Sequence, residues 1–125
     1  MNAGSLDAAE AAYRKALAES VAAQDRQATI WSHFGLGDVA STRGSLQAAV
    51  AHYRSGRDIA ETLARQDPGN EEWQRDLSVS HDKVGGVLSA QGDLPGALAA
   101  FRASLAIRER LARQDPGNEI GRAHV

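Results

Sequence analysis

The chain of 125 residues contains 24 alanines and only three prolines, which favours an all-α fold because alanine is the strongest helix former. Of the residues, 42% are hydrophobic, but many of these are alanine. The larger apolar side chains that remain can form the core of only one modest domain or of part of a longer array. The formal charge of −2 indicates no nucleic-acid footprint or anionic-membrane patch, and the lack of cysteine excludes disulfides, zinc–thiolate sites and cysteine nucleophiles.

Hydrophobic periodicity and helix-end signals predict five helices along the chain. In the fourth, Trp73, Leu77 and Val84 begin an apolar series at helical spacing, and Asp115 with the following Pro-Gly ends the fifth. Pro95 falls in the first turn of its helix, where a missing N–H costs little. The predicted helices cover residues 5–24, 26–43, 46–66, 71–91 and 94–114.

The helix ends carry residues that satisfy free backbone groups. Asn70 and Asp93 are predicted N-caps, because their side chains can accept hydrogen bonds from the first-turn amides. Gly92 is predicted to end its helix as a left-handed C-cap. Ser5 and Ser45 occupy the matching positions earlier in the chain and are predicted to cap there.

An internal repeat organises these helices into pairs. Residues 63–71 recur unchanged at 111–119, a shift of 48, and the same shift maps Gly44 onto Gly92 and Tyr53 onto Phe101. A partial earlier copy begins at Gly4. The chain therefore reads as two helical hairpins preceded by the second half of another.

These positions resemble the tetratricopeptide repeat, in which helix A of each repeat carries a large residue and a glycine, and helix B follows with glycine, alanine, an aromatic and a small residue. The usual repeat has about 34 residues, so a spacing of 48 lengthens both helices. The resemblance is therefore to extended-helix bacterial arrays with kinesin-light-chain-like repeats. The matching residues are Val84, Gly85, Leu88, Gly92, Leu94, Ala97, Phe101 and Ser104 in copy three, Leu36, Gly37, Ala40, Gly44, Leu46, Ala49, Tyr53 and Gly56 in copy two, and Gly4, Leu6, Ala9, Tyr13 and Ala16 in copy one.

The resemblance implies an all-α, antiparallel helix-hairpin solenoid of about five helices, in which each hairpin depends on its neighbours for burial. We expect a repeat array over residues 1–119, with a half repeat at 4–24 and repeats at 26–66 and 71–114. Within it, we expect Ala9, Ala49 and Ala97 to face Gly37 and Gly85, so that paired helices approach closely. Tyr13, Tyr53 and Phe101 are then expected to fill the space between neighbouring hairpins.

In this superfamily, ligands usually lie in the concave groove lined by helix A. The implied function is a protein-interaction scaffold that binds a peptide or partner domain. An aromatic pair at the start of the groove could anchor an apolar side chain, or could instead pack against the first helix. Carried over by position, the candidate groove residues are Trp31, Phe34, Asp38 and Ser41 from copy two, and Val79, Asp82, Gly86 and Ser89 from copy three.

A second candidate function is the sensor or regulatory arm of a larger bacterial signalling ATPase or protease. Asp38 and Asp82 would favour basic groups on a ligand, whereas the clamp of lysines and arginines found in chaperone-binding members is absent. Gly86, a second mid-helix glycine, has no packing role in the motif. We interpret it as sequence drift, with a dent in the groove wall as the alternative.

Two patterns that suggest chemistry are better explained by packing. Gly35, Gly37 and Ala40 match the dinucleotide-binding spacing, but that motif needs a preceding strand and a helix that opens at the glycines. His33 and His81 occupy equivalent positions, yet neither has a second ligand four residues away, so we expect bulky packing residues rather than a metal or catalytic site. His52 is expected at the surface. We predict no enzyme activity, no cofactor and no metal.

The termini differ from the rest of the chain. Residues 1–10 lack a basic and apolar leader, and no stretch approaches the ~20 apolar residues that span a bilayer, so a cytoplasmic location is expected. Twelve arginines against two lysines, with the alanine content, suggest a GC-rich bacterial genome. Residues 120–125 resemble a translated adapter oligonucleotide, so we expect a non-native tail on a fragment of a longer array. The free face of helix 94–114 is a candidate for self-association.

Overall fold

The computed structural model of the chain describes residues 2–114, which form five α-helices and no strand. Every predicted helix is present, and each end lies within two residues of its predicted position. The expected tail at 120–125 lies outside the described residues. The helices are α1 (Ala3–Ala22), α2 (Arg26–Thr42), α3 (Leu46–Gln66), α4 (Glu71–Ala90) and α5 (Leu94–Gln114).

Side-chain caps fix the beginnings of the helices. Asn70 accepts a hydrogen bond from the Trp73 amide at 3.1 Å, and Asp93 accepts one from the Gly96 amide at 3.0 Å, as predicted. The prediction for Ser5 is wrong, because Asn2 is the N-cap of α1 and its side chain accepts a hydrogen bond from the Ser5 amide. Ser45 stands at the N-cap position of α3, but its side chain makes no capping hydrogen bond.

Three of the four turns between the helices contain a residue in the left-handed region. Gly44 and Gly92 have φ of +82° and +85°, so the predicted left-handed glycine is confirmed at the end of α4. The turn after α1 uses Gln24, with φ of 56°, where the turns after α2 and α4 have glycine. A non-glycine residue tolerates this conformation at a cost, and α1 ends two residues earlier than its alanine-rich sequence predicts.

Consecutive helices pack against each other, joined by connections of three or four residues, in an array of antiparallel hairpins. We call α2 and α4 the A helices and α1, α3 and α5 the B helices. The two A helices also touch each other. The core runs through all the hairpins, includes Ile30, Phe34 and Ala49, and is partly covered by Trp73. No helix among residues 2–114 has the length and apolar character needed to cross a bilayer.

Aromatic rings, not alanines, face the glycines of the A helices. A Cβ atom on Gly37 would lie under 3.0 Å from ring atoms of Tyr53, and one on Gly85 would lie 2.9 Å from Cε1 of Phe101. The expected alanine–glycine pairing is therefore corrected: the glycines make room for a ring of the following B helix. Tyr13 fills the equivalent space above Gly35, between α1 and α2.

Candidate peptide-binding face

The A helices present the eight predicted groove residues in three different environments. Five are exposed, two are partly buried and one is buried. We call the exposed surface of α2 and α4 the A-helix face. The exposed residues are Trp31, Asp38, Ser41, Gly86 and Ser89, the partly buried ones are Val79 and Asp82, and the buried one is Phe34.

Phe34 belongs to the core rather than to the surface of a groove. Its side chain is only 1% exposed, and its ring occupies the space left by Gly56 of α3, where a Cβ would lie 2.7 Å from Cε1 of Phe34. Phe34 therefore packs against α3 and, being almost fully buried, offers almost no surface to a ligand.

Trp31 is the large aromatic residue of α2 that remains accessible. Its side chain is 46% exposed, and its ring meets Phe34 edge to face with centroids 5.2 Å apart. Asp76 of α4 lies beside the indole, and the pKa of Asp76 is raised because burial disfavours its charged form, an effect that the Trp31 side chain opposes. Gln27 donates to Asp76 and to Glu72, so polar contacts join the two A helices beside Trp31. These contacts fix the indole as an aromatic platform on the surface.

Asp38 is the centre of a polar cluster that joins three helices. The Tyr53 hydroxyl donates to Oδ1 of Asp38 at 2.6 Å, and Nζ of Lys83 lies 3.0 Å from the same oxygen. Nζ of Lys83 also lies 5.2 Å from the ring centroid of Tyr53 and 5.7 Å from that of Phe34. Burial and the Asp38 hydrogen bond raise the pKa of Tyr53, which keeps the hydroxyl protonated as the donor.

A cavity of about 300 Å³ opens beside this cluster. Three predicted groove residues line it, namely Ser41, Asp82 and Gly86. A Cβ on Gly86 would meet nothing within 4 Å, so the glycine leaves open space in the wall. This agrees with the alternative interpretation of Gly86 as a dent in the groove wall. The other residues that line the cavity were not predicted from the sequence, because they lie on α3 or α4 at positions that were not assigned to the groove. They are Leu46, Tyr53, Lys83, Val87 and Ala90.

The two candidate carboxylates already have cationic partners. Asp38 pairs with Lys83, and Asp82 pairs with Arg108 of α5. The expectation that these aspartates favour basic ligand groups therefore loses its basis, because each charge is neutralised within the chain. Trp31, Val79 and Ser89 do not line the cavity, so the structure separates the predicted residues into an aromatic platform and a pocket.

The histidines form a pair that sequence spacing did not predict. Nδ1 of His33 lies 3.4 Å from Nδ1 of His52, and the ring centroids are 5.7 Å apart, so the two nitrogens point at each other across α2 and α3. His52 is thus partly buried rather than at the surface. Within residues 2–114, no group of three or more histidine, aspartate or glutamate side chains could hold a metal ion.

Helical hairpins stacked in register define an α-helical repeat protein. Residues 82–115, the second half of α4 and all of α5, match the family model described as Tetratricopeptide repeat. This part of the chain therefore matches a tetratricopeptide repeat, which supports the superfamily recognised from the sequence. No curated protein and no solved structure matches the chain. The matched repeat supports a protein–protein interaction module in general.

Proposed function

We propose that the chain is an interaction scaffold that binds a peptide segment of a partner protein on its A-helix face. The observation that carries the proposal is Trp31, a large aromatic side chain that is 46% exposed yet packs edge to face on Phe34. A rigid, amphipathic ring loses little entropy when a ligand covers it, which is why tryptophans are frequent binding hot spots.

The cavity beside Gly86 supplies the second part of the proposed site. Its lining includes the apolar side chains of Leu46 and Val87 and the polar side chains of Ser41 and Lys83, and Lys83 is the residue paired with Asp38. Such a pocket suits a small or medium apolar side chain whose flanking backbone hydrogen-bonds to the polar rim. A peptide that reaches both features would contact α2 and α4 together, the two helices that the superfamily uses to bind ligands.

The proposal is tested by selecting peptides from a displayed random library on the immobilised chain. Replacing Trp31 by alanine should weaken the selected peptides at least about 10-fold, because a buried aromatic anchor is lost. Gly86→Leu should weaken them as well, since leucine fills the cavity and the wall has room for it. Val21→Ala, a change at a 59% exposed residue on α1, is the matched control.

Selected peptides that bind both groove variants as tightly as they bind the parent chain would contradict the site. A library that yields no binder to a folded, helical chain would contradict the peptide-binding function. No described residue favours the second candidate, the regulatory arm of a signalling ATPase or protease.

A further inference from the structure

Another cavity, of about 250 Å³, is lined by residues of α3, α4 and α5. It shares no residue with the cavity beside Gly86. Pockets for drug-sized ligands have about 300–1,000 Å³, so this smaller cavity suits a single chemical group. We call it the arginine cavity, and the lining residues that matter below are Arg54 and Arg57 of α3, His81 of α4 and Ala100 of α5.

The two arginines of the cavity have unused hydrogen-bond donors. Arg57 donates from Nε and Nη2 to the exposed carboxylate of Asp58, the next residue, so its Nη1 group has no partner among residues 2–114. The Arg54 side chain makes no hydrogen bond and no ion pair in the same range. A guanidinium carries five N–H donors and a permanent charge, so the cavity presents cationic donors that no carboxylate of the described chain neutralises.

The third polar group of the cavity is the imidazole of His81. Burial lowers the pKa of His81 and the positive charge of Arg57 lowers it further, while Glu61 and Asp82 oppose this effect. The two carboxylates have cationic partners of their own outside the cavity lining, namely Arg65 and Arg108. The imidazole is therefore mainly neutral near pH 7 and can donate an N–H to a bound anion.

The internal repeat explains why the cavity is open. In the equivalent groove between α1, α2 and α3, the imidazole of His52 packs beside His33, with their Nδ1 atoms 3.4 Å apart. The 48-residue shift places His81 at the position of His33 and Ala100 at the position of His52. Because alanine ends at Cβ, the space that an imidazole fills in the first groove stays empty in the second.

The repeat also explains the unpaired arginine. Arg54 corresponds to Arg14 of the first copy, whose Nη2 lies 2.8 Å from Oε2 of Glu10, one turn earlier in α1. The residue one turn before Arg54 is Val50, which is buried and carries no charge. The second groove thus keeps the arginine without its carboxylate, and an anion from outside the chain would supply the missing charge.

We propose that the arginine cavity binds a phosphate group, with Arg54 and Arg57 as cationic donors and His81 as a neutral N–H donor. Guanidinium groups match phosphate oxygens in pairs, and two of them at one cavity favour a dianion over a singly charged carboxylate. The cavity contains none of the eight candidate residues of the A-helix face. The proposal goes beyond peptide binding and does not depend on it.

Binding is measured by following the imidazole NMR signals of the full chain during titration with inorganic phosphate, with chloride holding the ionic strength constant. The His81 signal, assigned with His81→Gln, should shift to saturation, and the pKa of His81 should rise because an anion stabilises the imidazolium. Arg54→Gln and Arg57→Gln should each weaken binding at least about 10-fold, since charge-assisted hydrogen bonds are lost. Arg102→Gln is the matched control: it removes the same charge at the equivalent position of α5, outside the cavity.

A second variant tests whether the open space itself is the site. Ala100→His restores the imidazole of the first groove and keeps both arginines, so it should abolish phosphate binding in a chain that circular dichroism shows to be helical. If that variant does not fold, the two arginine variants decide, since they change no buried residue. Trp31→Ala should leave phosphate binding unchanged, which separates this site from the proposed peptide site.

The source of the phosphate is distinguished by repeating the titration with phosphoserine blocked at both ends. Tighter binding than that of inorganic phosphate indicates a phosphorylated segment of a partner, and equal or weaker binding indicates the free anion. A His81 signal that responds no more to phosphate than to chloride at equal ionic strength overturns the proposal. So does binding that survives the loss of both arginines, or acetate that binds as tightly as phosphate, because the site would then not select a phosphate group.

Discussion

The ring of Tyr53 lies directly over Gly37, so closely that a Cβ on the glycine would lie under 3.0 Å from the ring carbons. Tyr53 cannot easily move away, because it is 5% exposed and its hydroxyl is held by Asp38 at 2.6 Å. The glycine is thus required by a neighbour that is itself fixed. This contact sets the distance between α2 and α3.

Replacing Gly37 by alanine should therefore destabilise the chain. The added methyl group forces the Tyr53 ring or α3 to shift, at a cost that exceeds the gain in helix propensity, and we expect a net loss of about 1–2 kcal/mol in the free energy of unfolding. Urea titration followed by circular dichroism measures it. An unchanged or higher midpoint would mean that the α2–α3 contact is looser than the structure shows.

Adjacent glycines in α4 offer a matched comparison. Gly86→Ala should raise the free energy of unfolding by about 0.5–1 kcal/mol, because helix propensity improves and the new methyl group meets nothing within 4 Å. Gly85→Ala should give a lower free energy of unfolding than Gly86→Ala, since its methyl group would press on Phe101. The cost should be smaller than at Gly37, because Phe101 is 42% exposed and its ring can swing outward. Equal effects at the two neighbours would refute this account.

The sequence predicts the helices of this chain well because each end has a local cause. The carboxamide of Asn70 and the left-handed Gly92 act on their own neighbours, and the 48-residue shift repeats the same signals. The end of α1 is the exception. There Gln24, which is not a glycine, adopts a positive φ, so its residue type gives no signal that the helix ends before it.

The candidate site is harder to predict, because residues at equivalent positions of the two repeats differ in burial and in their contacts. Phe34 and Asp82 are related by the 48-residue shift, but one is buried against Gly56 and the other pairs with Arg108. Carrying a groove position from one copy to the other ignores the neighbour on the following helix. Lys83 was likewise missed, since its contacts with Asp38 and the aromatic rings arise only when α4 packs against α2.

The Tyr53–Asp38 hydrogen bond can be tested by deleting one oxygen atom. Tyr53→Phe should lower the free energy of unfolding by about 1 kcal/mol, because a partly buried hydrogen bond to a carboxylate is lost while the ring still packs over Gly37. Tyr13→Phe is the control at the equivalent position of α1, where no hydrogen bond to the hydroxyl occurs within residues 2–114. Its change should stay within about 0.5 kcal/mol. Equal losses for the two variants would show that the Asp38 contact contributes nothing.

Stability should fall as the solution becomes mildly acidic. Burial lowers the pKa of His33, and the charge of the facing His52 lowers it further. Burial also lowers the pKa of His52, with Arg14 adding to the effect and Glu10 opposing it. Since both folded-state pKa values lie below the ordinary 6.5, the unfolded chain binds more protons just below that pH. The full stability is therefore present above about pH 6.5 and is lost as the pH falls below it.

The contribution of the His33–His52 pair to the pH dependence of stability is distinguished from that of other titrating groups by comparing the wild type with His52→Gln. Urea midpoints between about pH 7.5 and 5.5 should drop less in the variant, because one protonatable ring and the charge facing His33 are both removed. His81 has a pKa lowered by burial and by Arg57, with Glu61 and Asp82 opposing, and it remains in both chains as a common background. Identical pH dependence in the two chains would show that the facing imidazoles do not couple to folding.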